Sequence, residues 1–193
     1  MTKKELRQFI KSQITEHSGE LPGLSKKICE NIICAPEFSS SHFIFSYMPL
    51  PDEVDVLPLV ETIFASDKKL ALPRVDSASG KMDFYLFNNM QDFTNGTSSG
   101  YCGILEPSES ALKITPIQIK EKSLILVPGR AFTLDGKRLG RGKGFYDSYL
   151  APLSVMEKFC FAGVCFPFQI ISELPFDAHD IPVQKVFSCS FGK

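Results

Sequence analysis

Apolar positions near the start of the chain recur at helical spacing. Leu6, Phe9, Ile10 and Ile14 share one face of residues 2 to 17, with Lys3, Lys4, Arg7 and Lys11 elsewhere on the cylinder. The pattern predicts an amphipathic helix with Lys3 and Arg7 stacked a turn apart on one edge. A second helix is predicted over 24 to 34, broken by Pro36, and HFIFSYMP then reads as a strand ended by Pro49 and Pro51. Within DEVDVLPLVETIFASDKK, Val56, Leu59, Val60, Ile63 and Phe64 return to helical spacing, and LALP and MDFYLF follow as strands. The stretch from Asn88 to Ser110 is turn-rich and reads as one long connection, which its Gly and Ser content lets move. SLILV, 123 to 127, is a continuous apolar run of the kind buried on both faces of a parallel sheet. YDSYLAPL reads as a helix, with FCFAGVCF and KVFSCS as the last strands. This alternation predicts an α/β fold: a single domain over 1–193 with a mostly parallel sheet, helices on both faces, and ligands beyond the carboxyl ends of the strands.

Composition narrows the function classes. The chain has 193 residues, a net charge of -1 and ordinary soluble composition, so no global positive field draws in nucleic acid or anionic lipid. No apolar run approaches membrane-spanning length, and the first residues lack a signal-peptide core; a cytoplasmic monomer is expected. The six cysteines form no CxxC pair and read as reduced core thiols. A nucleophilic Cys102 in SSGYCG is the competing reading, and no activating histidine lies near it in sequence.

RLGRGKGFYD, 138 to 147, carries the most specific chemistry. Glycines at 140, 142 and 144 alternate with cations and let backbone N–H groups point into one concavity, a nest for phosphate oxygens. Arg138, Arg141 and Lys143 add charge, and a helix opening near Phe145 adds its positive end. Neither standard phosphate motif fits, because Lys143 precedes Gly144 rather than Ser or Thr, and position 145 is not glycine. A solvated surface turn and an RG-type RNA contact remain open for the loop. Asp147 is open between a magnesium ligand beside the nest and a helix-dipole acid.

VPGRAF followed by DGKRLGRGKGFYDSYL resembles the 5-formyltetrahydrofolate cyclo-ligases, or methenyltetrahydrofolate synthetases. KKELR, YMPLPDEVDVLPLV, LALPRV, GILEP and HDIPVQKV extend the likeness through most of the chain. The resemblance implies an enzyme that uses ATP and Mg²⁺ to close 5-formyltetrahydrofolate to 5,10-methenyltetrahydrofolate, by phosphorylating the formyl oxygen, with release of ADP and phosphate. It also implies site roles. Lys3 and Arg7 would meet the ATP phosphates, and Arg138, Leu139, Gly140, Arg141, Gly142, Lys143, Gly144, Phe145 and Tyr146 would form the nucleotide loop. Arg141 to Phe145 would also face the folate, with Arg141 and Lys143 at the chemistry. Asp147 and Asp180 would hold the metal, and Glu53 would bind the substrate. Met48 and Tyr47 are open between pterin-pocket walls and core, Glu53 between a substrate ligand and a helix N-terminal acid, and Lys3 and Arg7 between phosphate ligands and a solvated face.

The chain departs from the family pattern at Arg130 and Thr133, where a small or aliphatic residue and an aspartate are usual. It departs again at Phe145, which lacks a tyrosine hydroxyl, and at Gln184, which replaces an acid. His179 invites a general-base role, but the sequence offers no geometry for one, and the base stays unassigned. A non-catalytic nucleotide or folate binder of the same fold is the alternative to the enzyme.

Overall fold

The computed structural model describes residues 1–76, 79–99, 105–108 and 110–190. In chain order the elements are α1 (Lys3–Glu16), α2 (Leu21–Ile33), α3 (Pro36–Ser40), β1 (Phe43–Phe45), α4 (Leu59–Ala65), β2 (Lys69–Asp76), β3 (Lys81–Phe87), α5 (Met90–Gly96), β4 (Thr97–Ser99), β5 (Leu105–Pro107) and β6 (Leu112–Ile114). There follow β7 (Ser123–Pro128), β8 (Ala131–Phe132), β9 (Arg138–Leu139), α6 (Phe145–Leu150), β10 (Phe159–Val164) and β11 (Lys185–Phe187). The main sheet runs β11-β10-β7-β1-β2-β3-β6. Neighbours from β11 to β2 pair in parallel, whereas β3 and β6 add antiparallel at one edge.

Strand alternation divides the core. Ile44, Leu70, Leu72, Leu124, Leu126, Ala162 and Val164 face α2, α3 and α4. Phe43, Phe45, Ala71, Ile125, Val127 and Phe161 face the other way, with Leu150 of α6 and Leu153 just after it. The unbroken apolar run of β7 is therefore buried on both faces, as its sequence predicts. The crossover from β1 to β2 passes through α4, and that from β7 to β10 passes through α6. They leave the sheet on opposite faces, so a crevice opens beyond the carboxyl ends of β1 and β7.

Several boundaries differ from the sequence reading. Pro36 opens α3 rather than only ending a helix, because proline suits the first helical turn. The predicted strand at 42 to 49 is regular only over Phe43–Phe45. Helix α4 begins after Pro58, so Glu53 lies well ahead of it in a turn and is not a helix N-terminal acid. The turn-rich connection holds α5, capped by the Asn89 side chain accepting from Asp92 N. Phe9 is 45% exposed despite its place in the helical pattern, and Cys34 is exposed. The other described cysteines are buried or half-buried, with Cys29 and Cys165 pushed up to about 12 chiefly by burial; Cys102 lies outside the described residues.

Two devices place the site. Phe132, fully buried, seats the β8–β9 hairpin against the sheet, and a Cβ on Gly163 would lie 2.3 Å from its ring. Helix α1 buries Leu6, Ile10 and Ile14 against Ala131, Leu139 and Leu174, starts at a Thr2–Glu5 capping box, and is tied by Lys3 Nζ to Asp177 Oδ2 at 2.7 Å and Asp180 Oδ2 at 2.6 Å. Burial pushes the Asp180 carboxyl up, but Lys3 and the Asp177 N–H prevail and hold it below its ordinary value. Burial likewise lowers Lys3, and the two aspartates outweigh it and raise it.

Gly163→Ala forces Phe132 to shift and is expected to cost about 1–3 kcal/mol, read from denaturant midpoints; an unchanged midpoint would refute the close packing. The Lys3–Asp180 contribution should be complete between the free-carboxyl value of 3.8 and the free-lysine value of 10.5. It is lost as pH falls through the depressed aspartate or rises through the raised lysine. The melting difference between wild type and Lys3→Met should therefore shrink in acid, and a difference that persists at pH ~2 would exclude the pair as its source.

Candidate active site

The loops after β1 and β7 meet in the crevice through charge. Arg141 Nε donates to Glu53 Oε1 at 2.9 Å, and its Nη2 donates to Asp52 Oδ1. Arg130 Nη1 lies 2.6 Å from Asp52 Oδ2, an ion pair without hydrogen-bond alignment. Glu53 also accepts from Leu50 N at 3.1 Å through Oε2, which fixes the carboxylate in its turn. Burial raises the Asp52 carboxyl, yet Arg141 and Arg130 together hold it below its ordinary value. Arg141 is thus joined to residues 88 and 89 positions away, and Arg130 shares the same electrostatic cluster.

The glycine loop sits above this cluster. Gly142 and Gly144 adopt φ +95° and +72°, the left-handed values a nest requires, whereas Gly140 is not among the positive-φ glycines. Arg7 Nε donates to Gly140 O at 2.9 Å, and its guanidinium lies against Gly142, where a Cβ would come within 3.4 Å of it. Helix α1 therefore braces the loop. Lys143 is exposed, and among the described residues no hydrogen bond or ion pair holds its ammonium.

Arg138 and Leu139 are inside the protein rather than on the loop surface. Leu139 is 1% exposed and packs with α1, so only its backbone faces the loop. The Arg138 side chain is 4% exposed and pairs with Asp147 Oδ1 at 2.6 Å. The sequence reading treats Arg138 as an open cation; the structure buries it beneath the hairpin. Removing Asp147 strands the buried Arg138 charge, a loss of about 3–5 kcal/mol. Tyr146 lies over Arg138, ring centroid 5.9 Å away, and its hydroxyl is buried without a hydrogen-bond partner; burial pushes its pKa up. Phe145 is half-buried against the α6 side of the core.

Asp147 Oδ1 also accepts from Ile181 N at 3.2 Å, which brings the Asp180–Ile181 segment beside it. That segment is clasped to the hairpin, Val183 N donating to Gly136 O at 2.9 Å. Among the described residues Asp147 Oδ2 and Asp180 Oδ1 accept no hydrogen bond, and no group of three or more metal-ligating side chains forms. Asp180 Oδ1 lies 4.0 Å from His179 Nε2. Carboxylates on two neighbouring segments, each with an oxygen that accepts no hydrogen bond, suit magnesium, which takes one or two such ligands and completes its shell with phosphates and water.

Met48 is half-buried at the edge of the core, and Tyr47 is 3% exposed with its hydroxyl donated to Val54 O at 3.1 Å, so Tyr47 belongs to the core. The departures are accommodated. Thr133 Oγ1 accepts from Lys137 N at 3.0 Å and pins the hairpin, and Gln184 Oε1 accepts from Phe161 N at 2.7 Å. His17 pairs with Glu20, His42 meets the Phe43 ring edge-on, and His179 is exposed. Asp52 and Asp177 are the residues that the sequence does not single out: the first carries no signal beyond its place beside Glu53, and the second is signalled only by its D-x-x-D spacing from Asp180.

The model of the 5-formyltetrahydrofolate cyclo-ligase family matches residues 1–188. A 5-formyltetrahydrofolate cyclo-ligase of Mus musculus is 28% identical over 187 residues, spanning 95% of this chain and 92% of the relative. The NMR structure of Aquifex aeolicus 5,10-methenyltetrahydrofolate synthetase superposes with TM-score 0.78 at 34% identity, covering 97% of this chain and 89% of that one. A 5,10-methenyltetrahydrofolate synthetase from Mycoplasma pneumoniae, 22% identical, shares the fold with TM-score 0.71 over 97% and 99% of the two chains. With its glycine loop, its crevice and a match across nearly its whole length, the chain belongs to the 5-formyltetrahydrofolate cyclo-ligase family.

Proposed function

We propose that this protein closes 5-formyltetrahydrofolate to 5,10-methenyltetrahydrofolate at the expense of ATP, with magnesium. The observation that carries the reading is the Arg141–Glu53–Asp52 cluster, which joins the nucleotide-type loop to the turn expected to hold the folate. Ring closure needs the formyl oxygen converted into a leaving group, and phosphorylation does this. The formyl oxygen takes the γ-phosphoryl group as ADP departs, N10 then bonds to the formyl carbon, and the C–O bond breaks to release phosphate as the N10 proton is lost.

The chain's own residues supply position and charge. Lys143, with no partner among the described residues, and Arg141 neutralise charge moving onto the transferred group. The Gly142 and Gly144 amides line the phosphate concavity, Arg7 borders it from α1 through Gly140 O, and Lys3, held by Asp177 and Asp180, would meet the phosphates from the same helix. Glu53 retains lone pairs for N–H donors of the pterin ring. Asp147 and Asp180 would hold the magnesium ion, which when bound screens the phosphate charge. The partner is this small molecule rather than nucleic acid or lipid; among the described residues no helix is long and apolar enough to cross a membrane.

Purified protein mixed with 5-formyltetrahydrofolate, ATP and Mg²⁺ should produce the near-ultraviolet absorbance of the methenyl product, and only when all three are present. Nucleotide binding without product would instead identify a non-catalytic binder. Lys143→Ala should lower kcat by about 10²–10³-fold while leaving the melting curve unchanged, since the side chain is exposed. Full activity in this folded variant would remove Lys143 from the chemistry.

A further inference from the structure

The geometry points to Arg138 as a positioning residue that aims Asp147 at the metal of a metal-bound nucleoside triphosphate, rather than as a ligand of the nucleotide itself. The inference rests on the proposed metal role of Asp147. Three observations carry it. The guanidinium is enclosed, its side chain 4% exposed and its Nε buried without a partner, so it presents no open fork to a phosphate. Its enclosure is shaped by glycines: a Cβ on Gly140 would lie 2.9 Å from Arg138 Nη1, and one on Gly129 would lie 3.2 Å from its Cγ. Gly140, whose φ is not positive, is thus accounted for by the space Arg138 occupies.

The third observation is the direction of the contact. Arg138 Nη2 and Ile181 N converge on Asp147 Oδ1, at 2.6 and 3.2 Å, leaving Oδ2 as the oxygen without a hydrogen bond among the described residues. Two donors on one oxygen fix the rotation of the carboxylate. Because one of them is the amide following Asp180, the same contact holds the Asp180–Ile181 backbone beside Asp147. Partners behind a ligand commonly change metal affinity about 10–100-fold when lost. Arg138 is fixed in turn by the β8–β9 hairpin, whose backbone pairs Phe132 with Arg138.

The test separates metal from nucleotide. Affinity for a non-hydrolysable ATP analogue is measured by calorimetry with EDTA and with Mn²⁺, and bound Mn²⁺ by electron paramagnetic resonance, for wild type, Arg138→Lys and Arg138→Met. The proposal expects metal-free affinity to stay at the wild-type level while the gain on adding Mn²⁺ falls by about tenfold or more. The fall should disappear when the same substitution is made in an Asp147→Asn background. Should Arg138→Met fail to fold, Arg138→Lys, which keeps the charge but loses the fork, gives the same readout. Equal losses with and without metal would place Arg138 on the nucleotide and overturn the inference while sparing the cyclo-ligase reading. An undiminished gain from Mn²⁺ in a folded variant would also overturn it. A wild-type protein that gains nothing from Mn²⁺ would overturn both the inference and the metal role it rests on.

Discussion

The two crossovers that flank the centre of the sheet leave on opposite faces, and the rest of the site depends on that divergence. After β1 the chain turns toward α4, and after β7 it turns toward α6. Strand ends diverging in this way leave backbone groups and side chains facing a crevice that neither layer of helices covers. The turn holding Asp52 and Glu53 enters from one side and Arg130 with the glycine loop from the other. Opposite charge then joins them.

Within the crevice the cations differ in what holds them. Arg138 is enclosed with Asp147, Arg141 is shared by Asp52 and Glu53, and Lys3 bridges Asp177 and Asp180, whereas Lys143 is exposed and without a partner among the described residues. Charges fixed before a reactant arrives need little reorganisation as charge moves in a reaction, which is why preorganised groups stabilise transition states better than water does. An unpaired lysine is free to adjust to a ligand, whereas a clamped arginine is already fixed in place. The buried Arg138–Asp147 pair is costly to desolvate, so its presence beneath the loop points to geometry rather than to stability.

Much of the fold was readable because its signals are local. The period of Leu6, Ile10 and Ile14 identifies α1, and the unbroken apolar run 123 to 127 identifies a strand covered on both faces. Phe9 obeys the same period and is nonetheless exposed, since a helix face is wider than the surface that covers it. The antiparallel edge formed by β3 and β6 was hidden, because alternation does not encode strand direction. The short α5 was hidden by its turn-forming residues.

The candidate site divides along the same line. Residue chemistry and spacing along the chain were enough to single out the glycine and cation loop, Asp147, and the motif likeness that led to Glu53 and Asp180. They are local properties of the string, and a glycine has the same freedom wherever it sits. Which cations stand open, and which are already spent on carboxylates, was decided only by tertiary structure. Arg138 and Arg141 are three residues apart in one loop, yet one is buried on Asp147 and the other reaches Asp52 and Glu53. Burial and pairing depend on what the fold brings from distant parts of the chain, and no local pattern carries that information.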